Sequence, residues 1–196
     1  FPRHKFDRFI ELVKRTPNIR YEMQLSGEAL GRKSELIRWG LDFKKWDENL
    51  DLFFDKSNEI DNLVLGFGCA HNSLSLPYFK DFLMYMQDKI NKFKYEKPII
   101  MHSNWVDNPE HLSVSAIDPK HAKTVQEQID YFKNMNGNFM HKQKYISLME
   151  TMKALVESEV ETNTKNFARK QFDILENRRK ISFSEHFPHF QELVTV

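Results

Sequence analysis

The chain has little cysteine and little net charge: one cysteine and a formal net charge of +1 in 196 residues. The single cysteine, Cys69, excludes a disulfide within the chain and any metal site built from several of its thiolates. It favours a reducing compartment, so the expected location is the cytoplasm. The small net charge provides no bulk attraction to nucleic acid or to a membrane surface, and we expect neither as a partner.

Long apolar runs and a translational start are also missing. No apolar run approaches the length of a membrane span, and the first residues, from Phe1 to His4, lack the features of a signal peptide. The chain does not begin with methionine, which predicts a trimmed or partial chain.

Strand patterns alternating with helical stripes are present instead. Apolar and polar residues alternate from Ile19 to Leu25, which indicates a half-buried strand. Near-continuous apolar runs predict further strands over residues 62–68 and 98–102, and helical stripes lie between them. Three strands separated by helices predict an α/β fold in which right-handed crossovers build a parallel sheet or a partial barrel.

The alternation stops after Trp105. Residues 112–117 are compatible with one more short strand, and Asp118 opens a helix that continues to about Asn134. The remaining pattern is helical. We therefore divide the chain into a partial barrel over residues 1–105 and a mostly helical extension over residues 106–196.

Polar side chains stand at the ends of the predicted strands. Ser26 follows the first strand and Arg38 comes shortly after, a combination suited to holding a carboxylate or a ribose. His71 and Asn72 follow the second strand, and His102 ends the third, so all three are candidates for lining a pocket.

Simpler interpretations exist for the same residues. Arg38 could be an exposed helix residue paired with Glu35 or Asp42, and Asn72 could merely shape a turn. Cys69 ends an apolar strand and fits a buried structural thiol.

Three segments, in this order and spacing, resemble radical S-adenosylmethionine (SAM) proteins with a twitch-type C-terminal extension. Residues 26–42 resemble the family pattern Ser-x-Asp-x-x-Gly … Glu-x-x-Arg-x-Gly-Leu-Asp. Residues 69–76 resemble the strand-end pattern Thr/Cys-x-x-Asn-Ala-Leu-Ser-Leu. Arg178-Arg179 followed by Phe187-Pro188 resembles the closing Arg-Gly … Phe-Pro-Glu-Leu element.

The resemblance implies the later strands of an incomplete parallel barrel that holds SAM and an iron-sulfur cluster, where SAM is cleaved to a radical that abstracts hydrogen from a substrate. It implies that Ser26 and Arg38 contact the ribose and the amino-acid carboxylate of SAM, and that Glu28 occupies a cofactor-binding position where the family usually has aspartate. His71, Asn72 and His102 are then the substrate-side candidates, while catalytic residues stay unassigned.

The chain departs from the family in its cysteines. The Cys-x-x-x-Cys-x-x-Cys loop that holds a 4Fe-4S cluster is absent, and such a cluster needs three thiolates from the protein. The resemblance therefore implies a C-terminal portion that is inactive alone unless a missing N-terminal portion supplies the cysteines.

A different class of function is the main alternative. The chain could be a non-catalytic binding or assembly module whose exposed sheet edge pairs with a partner chain. A hydrolase or transferase on an unrelated sheet has no nucleophile motif to support it.

Overall fold

The computed structural model of the chain describes residues 3–158 and 162–189. Its four strands form one parallel sheet in the order β1-β2-β3-β4. The strands are β1 (Tyr21–Ser26), β2 (Leu63–His71), β3 (Ile99–Trp105) and β4 (Phe139–Met140). The α-helices are α1 (Arg3–Arg15), α2 (Gly31–Ile37), α3 (Phe43–Glu59), α4 (Phe79–Phe93), α5 (Ala122–Asn134), α6 (Lys142–Glu157), α7 (Thr162–Arg179) and α8 (Phe183–His186).

The prediction of an α/β fold with parallel strands is confirmed. The second and third strands continue beyond their predicted ends, to His71 and Trp105, where the apolar pattern gives way to polar residues. The short β4 was not predicted, because two residues beside a polar break carry no strand periodicity.

The prediction of a strand within residues 112–117 is wrong. Two short 3-10 helices, Glu110–Leu112 and Val114–Ala116, occupy this stretch. The Ser113 hydroxyl accepts a hydrogen bond from the Ser115 amide, and the Ala116 amide bonds to the Ser113 carbonyl. These local bonds hold the chain in a turn and compete with strand pairing.

The sheet is covered by helices on one face. Leu25, Leu65 and Phe67 on the strands belong to the main hydrophobic core. The helices α1, α3, α4, α5 and α6 complete that core with side chains that include Phe6, Leu50, Phe82, Ile129 and Tyr145. Strand residues of opposite parity point the other way, and there Glu22, Gln24, Ser26, His102 and Asn104 are exposed. The sheet therefore has one apolar, covered face and a second face that carries these exposed polar side chains, which we call the open face.

The core does not stop at Trp105. Ile129 and Tyr145 from the second part of the chain share one buried cluster with Leu65 from the first. A second, smaller cluster joins α2 to the C-terminal helices through Leu36, Leu74, Ala168, Phe172, Phe183 and Phe187. The extension is thus packed against the sheet layer and against α2. Across the described part of the chain, no helix combines the length and apolar character required to traverse a bilayer.

The long helix α3 is stabilised at both ends. At its start the Asp42 carboxylate accepts a hydrogen bond from the Lys45 amide, as an N-cap does. At its end the Lys97 ammonium donates to the carbonyls of Ser57, Ile60 and Leu63, each at 2.6 Å. Burial lowers the pKa of Lys97. Lys97 therefore ties the end of α3 to the start of β2.

We expect Lys97→Met to lower the free energy of unfolding by about 1–3 kcal/mol, because it removes the charged hydrogen bonds that tie three carbonyls to one ammonium. Urea unfolding followed by circular dichroism measures this change. The matched control is Lys123→Met on the exposed side of α5, which should have almost no effect. Equal free energies of unfolding for the two variants would contradict this role of Lys97.

Candidate functional site

The carboxyl ends of β1 and β2 meet a buried ion pair between Glu28 and Arg38. Arg38 donates from Nε to Glu28 Oε1 at 3.0 Å and from Nη2 to Oε2 at 2.5 Å, a bidentate arrangement. The Glu28 residue is only 2% exposed, whereas the Arg38 side chain is 31% exposed. The Ala70 amide, near the end of β2, also hydrogen-bonds to Glu28. The pair therefore links the loop after β1, the end of α2 and the end of β2.

The environment of Glu28 has two opposing effects on its acidity. Burial raises the pKa of the Glu28 carboxyl, while the hydrogen bond and charge of Arg38 act in the opposite direction. The effect of burial is larger. The buried Glu28 carboxylate holds the more exposed Arg38 guanidinium in place through their two hydrogen bonds.

The prediction that Arg38 forms an ion pair with Glu35 or Asp42 is wrong. Glu35 instead pairs with Arg32 at 3.1 Å and accepts a hydrogen bond from the Phe43 amide, and Asp42 caps α3. Local spacing along a helix pointed to residues three or four positions away. The actual partner, Glu28, lies in the loop before α2, where the fold brings it within reach.

Two clefts meet at Ser26 and Arg38. One, of about 500 Å³, follows the outer edge of β1. The other, of about 240 Å³, lies over the open face of the sheet. Gln24, Ser26 and Arg38 line both. Ser26 and Arg38 thus line the same two cavities.

Glycines on β2 make room for side chains that cross the open face. Glu22 extends above Gly66 and its Oε1 lies 2.6 Å from His102 Nε2 on β3. The side-chain nitrogen Nε2 of Gln24 lies above Gly68, 2.7 Å from the position that a Cβ atom would take there. Any larger residue at these two positions would displace the side chains above it. Glu22 and Gln24 were not predicted as site residues, although both share the parity of Ser26 on β1.

The three predicted substrate-side residues lie in different places. His102 lines the cleft over the open face, and its side chain is 46% exposed. His71 is fully buried on the covered face, with Nε2 3.1 Å from the Tyr145 hydroxyl, and burial lowers its pKa to about 3. Strand alternation is the reason, since His71 points to the side opposite Gly68 and Ala70.

Asn72 is 4% exposed and stabilises the turn after β2. Its Oδ1 accepts hydrogen bonds from the amides of Leu74 and Ser75, and its Nδ2 donates to the Ala70 carbonyl. Two of these bonds lie within the turn, and the third ties the turn to the end of β2. Neither His71 nor Asn72 lines the two clefts, so the structure does not bring them together with Ser26 and Arg38, and their role on the substrate side stays a prediction.

The described residues do not fit an iron-sulfur cluster. Cys69 is 2% exposed within the main core, and burial raises the pKa of its thiol far above the ordinary value. A 4Fe-4S cluster needs three thiolates from the protein, and the described residues offer one buried thiol. Within residues 3–158 and 162–189, no three histidine, cysteine or acidic side chains are grouped so that they could hold a metal ion.

The arrangement can hold a small polar molecule. A hydroxyl, a pre-oriented guanidinium, amides and a histidine–carboxylate pair surround a floor of small residues, and aromatic side chains of Phe9, Trp46 and Phe53 form the apolar wall. Searches of family models, curated proteins and solved structures find no match to the chain. The function of the chain must therefore be inferred from the geometry of its own residues.

The titration of Glu28 gives a test of the buried pair. Because the folded state raises the pKa of Glu28 above 4.5, this group favours folding most when it is protonated. That contribution is present below the unfolded pKa and is lost as the pH rises through the folded pKa. The free energy of unfolding of the wild type, minus that of Glu28→Gln, should fall as the pH rises from about 4 to about 7. Urea titrations across this range measure the difference.

Glu35→Gln is the control, because its effect on the free energy of unfolding should change with pH in the opposite direction. The pKa of Glu35 is lowered, chiefly by the hydrogen bond from the Phe43 amide. Its stabilising contribution is therefore present above the unfolded pKa and is lost as the pH falls through the lower folded pKa. A pH-independent difference between wild type and Glu28→Gln would show that burial does not control the acidity of Glu28.

Proposed function

We propose that this chain is the SAM-binding and substrate-side portion of a radical SAM enzyme. The observation that carries the proposal is that Ser26 and Arg38 line the same cavities at the carboxyl end of β1. In parallel α/β sheets, ligands bind at the carboxyl ends of the strands. The resemblance of residues 26–42 to the family assigns the ribose to the hydroxyl and the amino-acid carboxylate to the guanidinium.

The Glu28–Arg38 pair supports the assignment of the amino-acid carboxylate of SAM to the Arg38 guanidinium. Glu28 uses Arg38 Nε and one N–H of Nη2, and a guanidinium has five N–H donors. The Nη1 group and the second N–H of Nη2 are therefore available to a ligand carboxylate. Because Glu28 already fixes the orientation of the guanidinium, little side-chain entropy is lost on binding.

The open polar face supports the proposed barrel. We interpret the sheet as the later strands of a partial parallel barrel, with the face carrying Glu22, Gln24, His102 and Asn104 turned to the barrel interior. Helices packed on one face only are the arrangement of such a barrel. The substrate would then lie above the Glu22 and Gln24 side chains that cross Gly66 and Gly68, next to SAM.

This proposal limits what the chain does alone. It assigns to the described residues the binding of SAM and of substrate. The thiolates for a 4Fe-4S cluster would have to come from an N-terminal portion or from a partner chain.

Isothermal titration calorimetry with SAM tests the proposal. We expect Ser26→Ala to raise the dissociation constant about 5–10-fold, because one hydrogen bond to the ribose is lost. Arg38→Lys should raise it about 10–100-fold, because an ammonium keeps the charge but cannot bind two carboxylates in fork geometry. Arg32→Lys, at an exposed position outside both clefts, is the matched control and should bind as the wild type does.

Thermal melts of each variant must accompany the titrations, since Arg38 also neutralises the buried Glu28. The proposal fails if the wild type gives no binding heat at millimolar SAM. It fails equally if folded Ser26→Ala and Arg38→Lys bind SAM as tightly as Arg32→Lys.

One observation favours a second function, pairing through the edge of the sheet. The amides of Tyr21 and Gly27 bond to β2, so those of Glu22, Gln24 and Ser26 point to the outer edge of β1. At this edge the Ser26 carbonyl accepts a hydrogen bond from Trp46 Nε1 at 3.1 Å. The other outward groups of β1 could receive a strand from a partner chain, here a second copy.

Sedimentation velocity tests edge pairing. If two copies pair through β1, the mass should rise with protein concentration, and Gln24→Pro should suppress this rise because it removes an outward N–H from an edge strand. Gln24→Ala keeps the N–H and is the control. A monomer at all concentrations would rule out pairing with a second copy.

A further inference from the structure

A third cleft lies apart from Ser26 and Arg38, between the end of α2 and the end of α7. We call it the Trp39 cleft. Its volume is about 580 Å³, within the range of small-molecule sites. It is lined by Arg32, Glu35, Trp39, Gly40, Leu41, Arg179, Lys180 and Ile181. None of the functions considered above uses its charged residues.

Trp39 is held in an exposed position. It is 67% exposed, the highest fraction among the large hydrophobic residues that the structure describes. Gly40 follows with φ of +88°, a conformation that side chains disfavour, and turns the chain sharply after Trp39. The Arg179 guanidinium lies 4.8 Å from the Trp39 ring centroid and donates from Nη1 to the Leu36 carbonyl at 3.1 Å. The indole is therefore supported by a cation, while most of its surface faces solvent.

The charges around the ring favour an anion. Glu35 is the acidic residue of the lining, and its two oxygens are used by Arg32 and by the Phe43 amide. Arg179 and Lys180 both border the same space, and Lys180 is exposed. With three cationic side chains and one acidic side chain, the lining carries a formal charge of +2 (3 − 1).

We propose that the Trp39 cleft binds a nucleotide, whose base stacks on the exposed surface of Trp39 and whose phosphates contact Arg179 and Lys180. A planar ring is the partner that an exposed indole accommodates best, and every base has a π-face. The remaining N–H groups of a guanidinium match phosphate oxygens. An acidic peptide would use the charges without needing the indole, so the combination favours a nucleotide.

This site is separate from the proposed SAM site. SAM carries a sulfonium and an ammonium, which a cationic lining disfavours, whereas the phosphates of a nucleotide are attracted to it. The two sites also have different polar residues, since Ser26 and Arg38 do not line the Trp39 cleft. Each proposal can therefore fail without the other.

Titration with ADP in the absence of divalent metal tests the proposal, with tryptophan fluorescence and calorimetry as readouts. We expect ADP to quench the fluorescence of the wild type, and Trp39→Leu to remove most of that quenching and raise the dissociation constant about 10-fold. Lys180→Asn should raise it about 5-fold, since asparagine tolerates the positive φ of this position. Higher salt should weaken binding of ADP.

Matched variants distinguish the loss of stacking or of charge in the Trp39 cleft from the general effect of substituting a tryptophan or a lysine. Trp105→Phe changes a tryptophan on β3 and Lys123→Asn changes an exposed lysine on α5, and both should bind ADP as the wild type does. Adenosine, which has no phosphate, should bind more weakly than ADP. Ser26→Ala should leave ADP binding unchanged, and Trp39→Leu should leave SAM binding unchanged.

Several results would overturn the nucleotide proposal. These are the absence of quenching and of heat at about 10 mM ADP, equal dissociation constants for Trp39→Leu and Trp105→Phe, or equal binding of adenosine and ADP. Binding of poly-glutamate without binding of ADP would show that the cleft recognises acidic peptides instead.

Discussion

The bidentate pair between Glu28 and Arg38 is the interaction on which the candidate site depends. It joins the loop after β1 to the end of α2, and the Ala70 amide joins it to β2. Removing either partner would leave the other charge partly buried without compensation, which costs more than an exposed pair contributes. The same contact fixes the guanidinium at the boundary of two clefts, so Arg38 both neutralises Glu28 and lines the two cavities.

The second constraint is the one-sided sheet. Helices cover the face with Leu25, Leu65 and Phe67, and this burial supplies the main core. On the other face, Gly66 and Gly68 leave space that Glu22 and Gln24 cross from the neighbouring strand. The polar groups of the open face thus come from side chains on β1 and β3, while β2, which lies between them, contributes two glycines without side chains. Exposed polar side chains of this kind can form hydrogen bonds with a polar ligand or with another protein segment.

The clefts differ in what they can bind. Those at Arg38 combine a hydroxyl, amides and a partly exposed guanidinium with aromatic walls. The Trp39 cleft combines an exposed indole with a net positive lining. Arg38 and Trp39 are adjacent in sequence yet line different clefts, and the helix α2 ends just before Arg38, whose backbone is no longer helical. One short segment therefore contributes to two separate surfaces.

Periodicity in the sequence was sufficient to predict the longer helices and the three longer strands, because burial on one face of an element repeats at a fixed interval. It was also sufficient for the position of Ser26 at the end of β1, whereas His102 lies within β3, which continues to Trp105. The partner of Arg38 could not be predicted, because local spacing favours Glu35 and Asp42, and the loop that delivers Glu28 has no period.

What the sequence by itself determined was the order of strands and helices and the polar character of their ends. Tertiary structure decided which of those polar residues meet. His71 points into the core and Asn72 closes a turn, while Glu22 reaches His102 across a glycine. The physical reason is that contacts between strands depend on register and on side-chain direction, and both are settled only when the sheet packs against its helices.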